Sequence, residues 1–127
     1  MLYVRTELKL SAIEGNGLFA AERIGAGRLI WTFTPGLDVI FPRRLLESLP
    51  PVGQDSVNRY CSRDGEYLTV YADDARFINH SRNSNTRWDE EAEALVAARD
   101  IEVGEEITED YYVVEWAGLD TSNRPFA

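Results

Sequence analysis

The sequence predicts a single, mainly β domain. Three observations carry that reading: apolar or β-rich runs of only a few residues, glycine-containing turns between them, and one segment with helical spacing. A length of 127 residues suits one domain, and a 44% hydrophobic share is enough for one small core.

Leu2 to Val4 and Glu7 to Leu10 read as short strands. Gly15-Asn16-Gly17 marks a turn, after which Leu18-Phe19-Ala20 resumes an apolar strand. Gly25-Ala26-Gly27 marks the next turn. Leu29 to Phe33 (LIWTF) is dense in strand-favouring residues, and Pro35-Gly36 ends it. Pro42 to Leu49 is expected to be helical, with proline in the first turn, Leu45, Leu46 and Leu49 on one face, and Pro50-Pro51 as the stop. Ser56 to Ser62 and Glu66 to Tyr71 read as a hairpin turning at Arg63-Asp64-Gly65. Ala94 to Ala98 is a short apolar strand, Gly104-Glu105 a turn, and Tyr111 to Trp116 a last β-rich stretch before an irregular tail.

Charge and composition exclude several functions. The net charge is −9: residues 1–63 hold eight basic and six acidic side chains, residues 64–127 five and sixteen. Such a chain repels phosphate backbones and attracts basic peptides, so no direct nucleic-acid binding is expected. No apolar run is long enough to span a bilayer, and the start is charged with no long apolar stretch. No membrane association, no signal peptide and a cytoplasmic location are expected. Cys61 is the one cysteine and His80 the one histidine, which excludes an internal disulfide and a cysteine- or multi-histidine metal site. There is no G-x-S-x-G elbow and no phosphate-loop lysine pattern. The pairs Asp73-Asp74, Glu90-Glu91 and Glu105-Glu106 read first as solvated faces or turns.

Three segments, taken in order, add a more specific reading. They are Gly15-Asn16-Gly17-Leu18-Phe19-Ala20 with Ile24-Gly25-Ala26-Gly27; Arg76-Phe77-Ile78-Asn79-His80-Ser81; and Arg99-Asp100-Ile101 with Gly104-Glu105-Glu106-Ile107-Thr108-Glu109-Asp110-Tyr111. Together they resemble the SET-domain protein lysine methyltransferases, above all the short bacterial and viral members. The resemblance covers about residues 2–112 and makes 1–127 one SET domain. It implies a fold of the β-clip type: small curved sheets with short helical turns and a C-terminal pseudoknot, in which the DY segment tucks under a loop beside the NHS segment.

The resemblance also implies the chemistry. S-adenosylmethionine sits beside the knot and leaves as S-adenosylhomocysteine, with no metal, and a lysine of a basic protein or peptide enters from the opposite face. By position, the backbone at Asn16 and Gly17, together with Asn79 and His80, holds the cofactor, and Tyr111 is the catalytic tyrosine. These residue types suit the task. Glycine lets main chain approach a ligand closely, Asn79 both donates and accepts, and a tyrosine hydroxyl can orient an amine.

The sequence departs from many relatives after the NHS segment. It continues Arg82-Asn83-Ser84-Asn85, without the cysteine of a post-SET zinc site, and the tail has no cysteine either. Another element must then close the site. Trp116 is a candidate for stacking on adenine and Phe126 for walling the channel, with a second subunit, in a homodimer, as the alternative. Tyr60, Tyr67 and Tyr71 precede the motif; Tyr71, the nearest, is preferred over Tyr60 as a second channel tyrosine. The rival reading is a catalytically silent SET module that binds a basic peptide or the cofactor.

The implied nucleophile is a neutral lysine. At pH 7 only about one in 2,500 lysines of pKa ~10.4 is deprotonated, a cost of ~4.6 kcal/mol. A nearby sulfonium and an apolar channel lower that cost. Methyl-transfer rates should therefore rise between pH 7 and pH 9 when followed with labelled cofactor. A flat profile would contradict rate-limiting lysine chemistry.

Overall fold

The computed structural model describes residues 1–64 and 66–111. They form ten short strands, one α-helix and two 3₁₀ segments, grouped into small sheets rather than one continuous layer. The strands are β1 (Thr6–Leu10), β2 (Asn16–Ala20), β3 (Leu29–Thr32), β4 (Val39–Pro42), β5 (Ser62–Asp64), β6 (Tyr67–Val70), β7 (Asn79–His80), β8 (Thr86–Asp89), β9 (Ala94–Ala97) and β10 (Thr108–Glu109). β1 and β2 form an antiparallel pair. β3-β9-β8 and β4-β6-β5 are antiparallel three-stranded sheets, and β7 and β10 pair in parallel. This mainly β architecture of small sheets is the expected one.

β9 explains where the core sits. All four of its residues are buried, so it is covered on both faces and shows no alternation. Leu18 from β2, Ile30 and Trp31 from β3, and the loop residues Ile24, Ile101 and Ile107 complete the cluster around it. Single bridges Ile24↔Ile101 and Phe19↔Glu106 stitch the sheets to one another. Ile101 and Ile107 of the third motif therefore belong to the core.

Two expectations are corrected between residues 42 and 62. Arg43–Ser48 is a 3₁₀ segment, not an α-helix, and Pro42 caps it. It ends at Leu49, before Pro50-Pro51 as expected, but Pro51 also begins a second helix, α1 (Pro51–Tyr60). Proline fits a first helical position because no N–H is needed there and its φ is already helical. The strand expected over Ser56–Ser62 is thus mostly the end of α1. Val57, Tyr60 and Cys61 stand at i, i+3 and i+4, a helical spacing, and the Cys61 N–H caps the helix on the Val57 carbonyl. Only Ser62–Asp64 remains to form the expected hairpin with β6. Cys61 is buried, and burial pushes its thiol up, which keeps it protonated and unreactive. The Tyr111 to Trp116 stretch lies outside the described residues from position 112 onward.

Asp38 anchors the chain start. Its buried carboxylate accepts from the Thr34 N–H at 2.8 Å, the Ala72 N–H at 2.9 Å and the Met1 ammonium at 3.0 Å. Burial alone would raise its pKa, but these donors outweigh burial and hold it below the ordinary 3.8. A carboxylate with a lowered folded pKa stabilises the fold above its unfolded pKa and loses that contribution as pH falls through the folded one. Asp38→Asn should cost about 2 kcal/mol in urea unfolding at pH 7, because an amide N–H then faces donors. The difference between the two proteins should shrink below pH 3.8.

Candidate active site

The third motif reaches the second through a parallel pairing of two residues with two. Thr108 aligns with Asn79 and Glu109 with His80, and the Ser81 N–H extends the contact to the Glu109 carbonyl at 3.0 Å. A parallel pair needs a long crossover, supplied here by the chain through β8 and β9. The loop after Ser81 staples the pair in place. Asn85 donates from Nδ2 to the Glu106 carbonyl at 2.8 Å and accepts the Thr108 N–H at 2.9 Å. The Thr86 hydroxyl donates to the Thr108 carbonyl at 2.7 Å. Asn85, Thr86 and Thr108 are all buried, so these bonds are sheltered from water. This places the DY segment beside the NHS segment and bound to its following loop, as the pseudoknot expectation requires.

Five of the expected site residues converge here. The Asn79 Nδ2 amide donates to the Asn16 carbonyl at 3.3 Å, the Glu14 carbonyl at 3.1 Å and the Glu106 carboxylate at 3.1 Å. Gly17 follows Asn16 in β2. The Tyr111 N–H donates to His80 Nδ1 at 3.2 Å, and the two rings lie 5.2 Å apart. The Asp110 carboxylate approaches the same nitrogen at 3.8 Å, beyond hydrogen-bond distance. The Tyr111 hydroxyl donates to the Ile78 carbonyl.

The aromatic candidates are divided. Tyr60 stands edge-on to Phe77 at 5.6 Å, two residues before Asn79. Tyr71, preferred from its place in the chain, packs edge-on against Trp31 at 5.1 Å beside the core. Trp116 and Phe126 lie outside the described residues. A cavity of about 240 Å³ opens alongside, lined by Arg82, Ser84, Thr86, Trp88, Glu109 and Asp110; it shares Asp110 with the cluster, but neither Asn79 nor Tyr111.

Glu106 is not simply one of a solvated pair; it contacts the Asn79 amide. Its carboxylate accepts from the Ser11 hydroxyl at 2.6 and 2.9 Å as well as from Asn79. A Cβ on Gly17 would fall 2.8 Å from Glu106 Oε2, so the close neighbour that this glycine accommodates is a protein carboxylate. Its position between the turn at Gly104 and buried Ile107 was the available signal. Ser11, Asn85 and Thr86 had none beyond their polarity. Because Asn85 satisfies a buried donor and a buried acceptor of another segment, Asn85→Ala should cost about 2–3 kcal/mol in urea unfolding. An effect below 0.5 kcal/mol, a surface-like value, would contradict the stapling role.

The comparisons with known proteins agree with this geometry. A family model for the SET domain matches residues 15–112. A SET domain-containing protein of Phaeosphaeria nodorum (strain SN15) is 31% identical over 121 residues, covering 86% of this chain and 18% of that protein. The chain thus spans less than a fifth of that relative's length. Among solved structures, a candidate histone methyltransferase of Plasmodium falciparum superposes with a TM-score of 0.59 at 19% identity, covering 87% of this chain and 95% of the other. The humanized Chaetomium thermophilum Polycomb Repressive Complex 2, solved with the inhibitor GSK126, gives 0.61 at 24% identity, covering 85% of this chain and 15% of that one. Both share the fold. The chain belongs to the SET-domain family, whose members are generally protein lysine methyltransferases that use S-adenosylmethionine.

Proposed function

We propose that this chain is an S-adenosylmethionine-dependent protein lysine N-methyltransferase acting on a basic protein or peptide. The observation that carries the reading is the seating of Tyr111. Its main chain rests on His80 and its hydroxyl on the Ile78 carbonyl, next to an Asn79 held against β2.

The residues fit the cofactor. Two carbonyls and a carboxylate accept from the Asn79 Nδ2 amide, which leaves its Oδ1 as an acceptor suited to the ammonium end of an amino acid. When bound, S-adenosylmethionine supplies an electrophilic methyl group on a positively charged sulfur. Asn79 and the exposed main chain at Asn16 would hold its amino-acid end, and the His80 segment its adenosine end. The Tyr111 hydroxyl donates its hydrogen bond to the Ile78 carbonyl, leaving the phenolic oxygen lone pairs to accept from a lysine N–H. Such a fixed acceptor orients the amine lone pair for in-line attack.

The net charge of −9 favours a basic substrate segment and, with it, faster encounter at low salt. Among the described residues, no helix is long and apolar enough to cross a membrane. Of the two channel candidates, Tyr60 is the better supported, through its contact with Phe77.

The test is transfer of labelled methyl from S-adenosylmethionine to lysine-bearing basic peptides. Wild type should label lysine. Tyr111→Phe should lower kcat by tenfold or more, with unchanged circular dichroism and unchanged S-adenosylhomocysteine affinity. Unaltered turnover in that variant would remove Tyr111 from the role, and absence of lysine label from wild type across the peptides would contradict the proposal.

A further inference from the structure

Glu106 takes no part in methyl transfer itself, yet its carboxylate lies against Asn79, the residue assigned to the amino-acid end of the cofactor. Ser11 donates to both of its carboxylate oxygens, and Asn79 donates to one of them. The same Asn79 nitrogen faces the carbonyl oxygens of Glu14 and Asn16. A carboxamide meets three acceptors in one orientation only. Turned over, it would set Oδ1 against three oxygens. Of the three, the carboxylate is the charged and therefore the strongest acceptor. Gly17 leaves room for it: a Cβ there would lie 2.8 Å from Oε2, 2.9 Å from Cδ and 3.0 Å from the Ser11 Cβ. The φ of Gly17 is not in the left-handed region, so space, not backbone freedom, calls for glycine.

We infer that Glu106 is a positioning residue, whose carboxylate turns the Asn79 amide so that Oδ1 is presented as the acceptor for the ammonium group of the cofactor. The inference rests on the S-adenosylmethionine reading above and deepens it. Ser11 holds the carboxylate in place, and the missing side chain of Gly17 admits it. The arrangement senses the amino-acid end of the ligand and is indifferent to the nucleoside end.

That difference provides the test. The full chain is titrated calorimetrically with S-adenosylhomocysteine and with 5′-methylthioadenosine, which keeps the nucleoside and thioether but lacks the amino acid. Glu106→Gln should weaken S-adenosylhomocysteine about five- to tenfold, which corresponds to ~1–1.4 kcal/mol. Its 5′-methylthioadenosine affinity should stay at the wild-type value. Glu106→Gln combined with Asn79→Ala should bind S-adenosylhomocysteine no more weakly than Asn79→Ala alone, since both act on one contact. Ser11→Ala, a milder change, should give a smaller loss of the same selectivity. Wild-type affinity in Glu106→Gln, equal losses for both ligands, or additive losses with Asn79→Ala would each overturn the inference while leaving the methyltransferase reading intact. A wild-type chain that binds neither ligand would overturn both.

Discussion

The parallel alignment of Asn79–His80 with Thr108–Glu109 is the constraint on which the site depends. Two residues paired with two is too short a ladder to persist alone. It persists because its surroundings are fixed from outside. Asn85 and Thr86 bond the Thr108 peptide on both its N–H and its carbonyl, in a space closed to water. On one flank Ile107 is fully buried and its N–H reaches the Leu18 carbonyl, tying β10 to the β1–β2 hairpin. On the other, the Tyr111 N–H meets His80. The chain is thus pinned from Glu106 to Glu109 and again at Tyr111, which fixes where the tyrosine stands.

The same hairpin supplies the other half of the site. β2 buries Leu18 and Ala20 in the core, and at its exposed start the Asn16 carbonyl meets Asn79. Core packing and site geometry are therefore not separable here: the segment that buries Leu18 also sets the reach from Asn16 to Asn79. Glu106 joins the two halves. Its main chain bridges Phe19, its carbonyl accepts from Asn85, and its carboxylate gathers Ser11 and Asn79. One residue thus links the hairpin, the knot and the Asn79 amide.

Sequence made the local signals legible and hid the long-range ones. LIWTF and ALVA declared themselves through strand-favouring residues, and the glycine turns were visible as breaks. β4 and β8 passed unnoticed. Val39–Pro42 ends in proline beside a Pro-Gly turn, and Thr86–Asp89 is mostly polar; each is a strand because a neighbour offers a ladder. α1 was misread because prolines that stop one helix can equally start the next. In the site, Asn16, Gly17, Asn79, His80 and Tyr111 were legible only through motif order, since nothing in the local pattern brings Asn16 and Asn79 together. Glu106 looked like one of several acidic pairs. Its place between Ser11 and Asn79 comes from contacts 95 and 27 residues apart in sequence, which no periodicity encodes.

The central claim is that the knot gathers these residues into one binding site for S-adenosylmethionine. A chain of 127 residues suits residue-resolved NMR, and titration with S-adenosylhomocysteine tests the claim most directly. The account predicts saturable shifts at the amides of Asn16, Gly17, Asn79, His80 and Tyr111, with β4, β5 and β6 little changed. Shifts centred instead on the β4-β6-β5 sheet, or on the cavity lined by Arg82 and Trp88 with Asn16 and Asn79 unmoved, would contradict it.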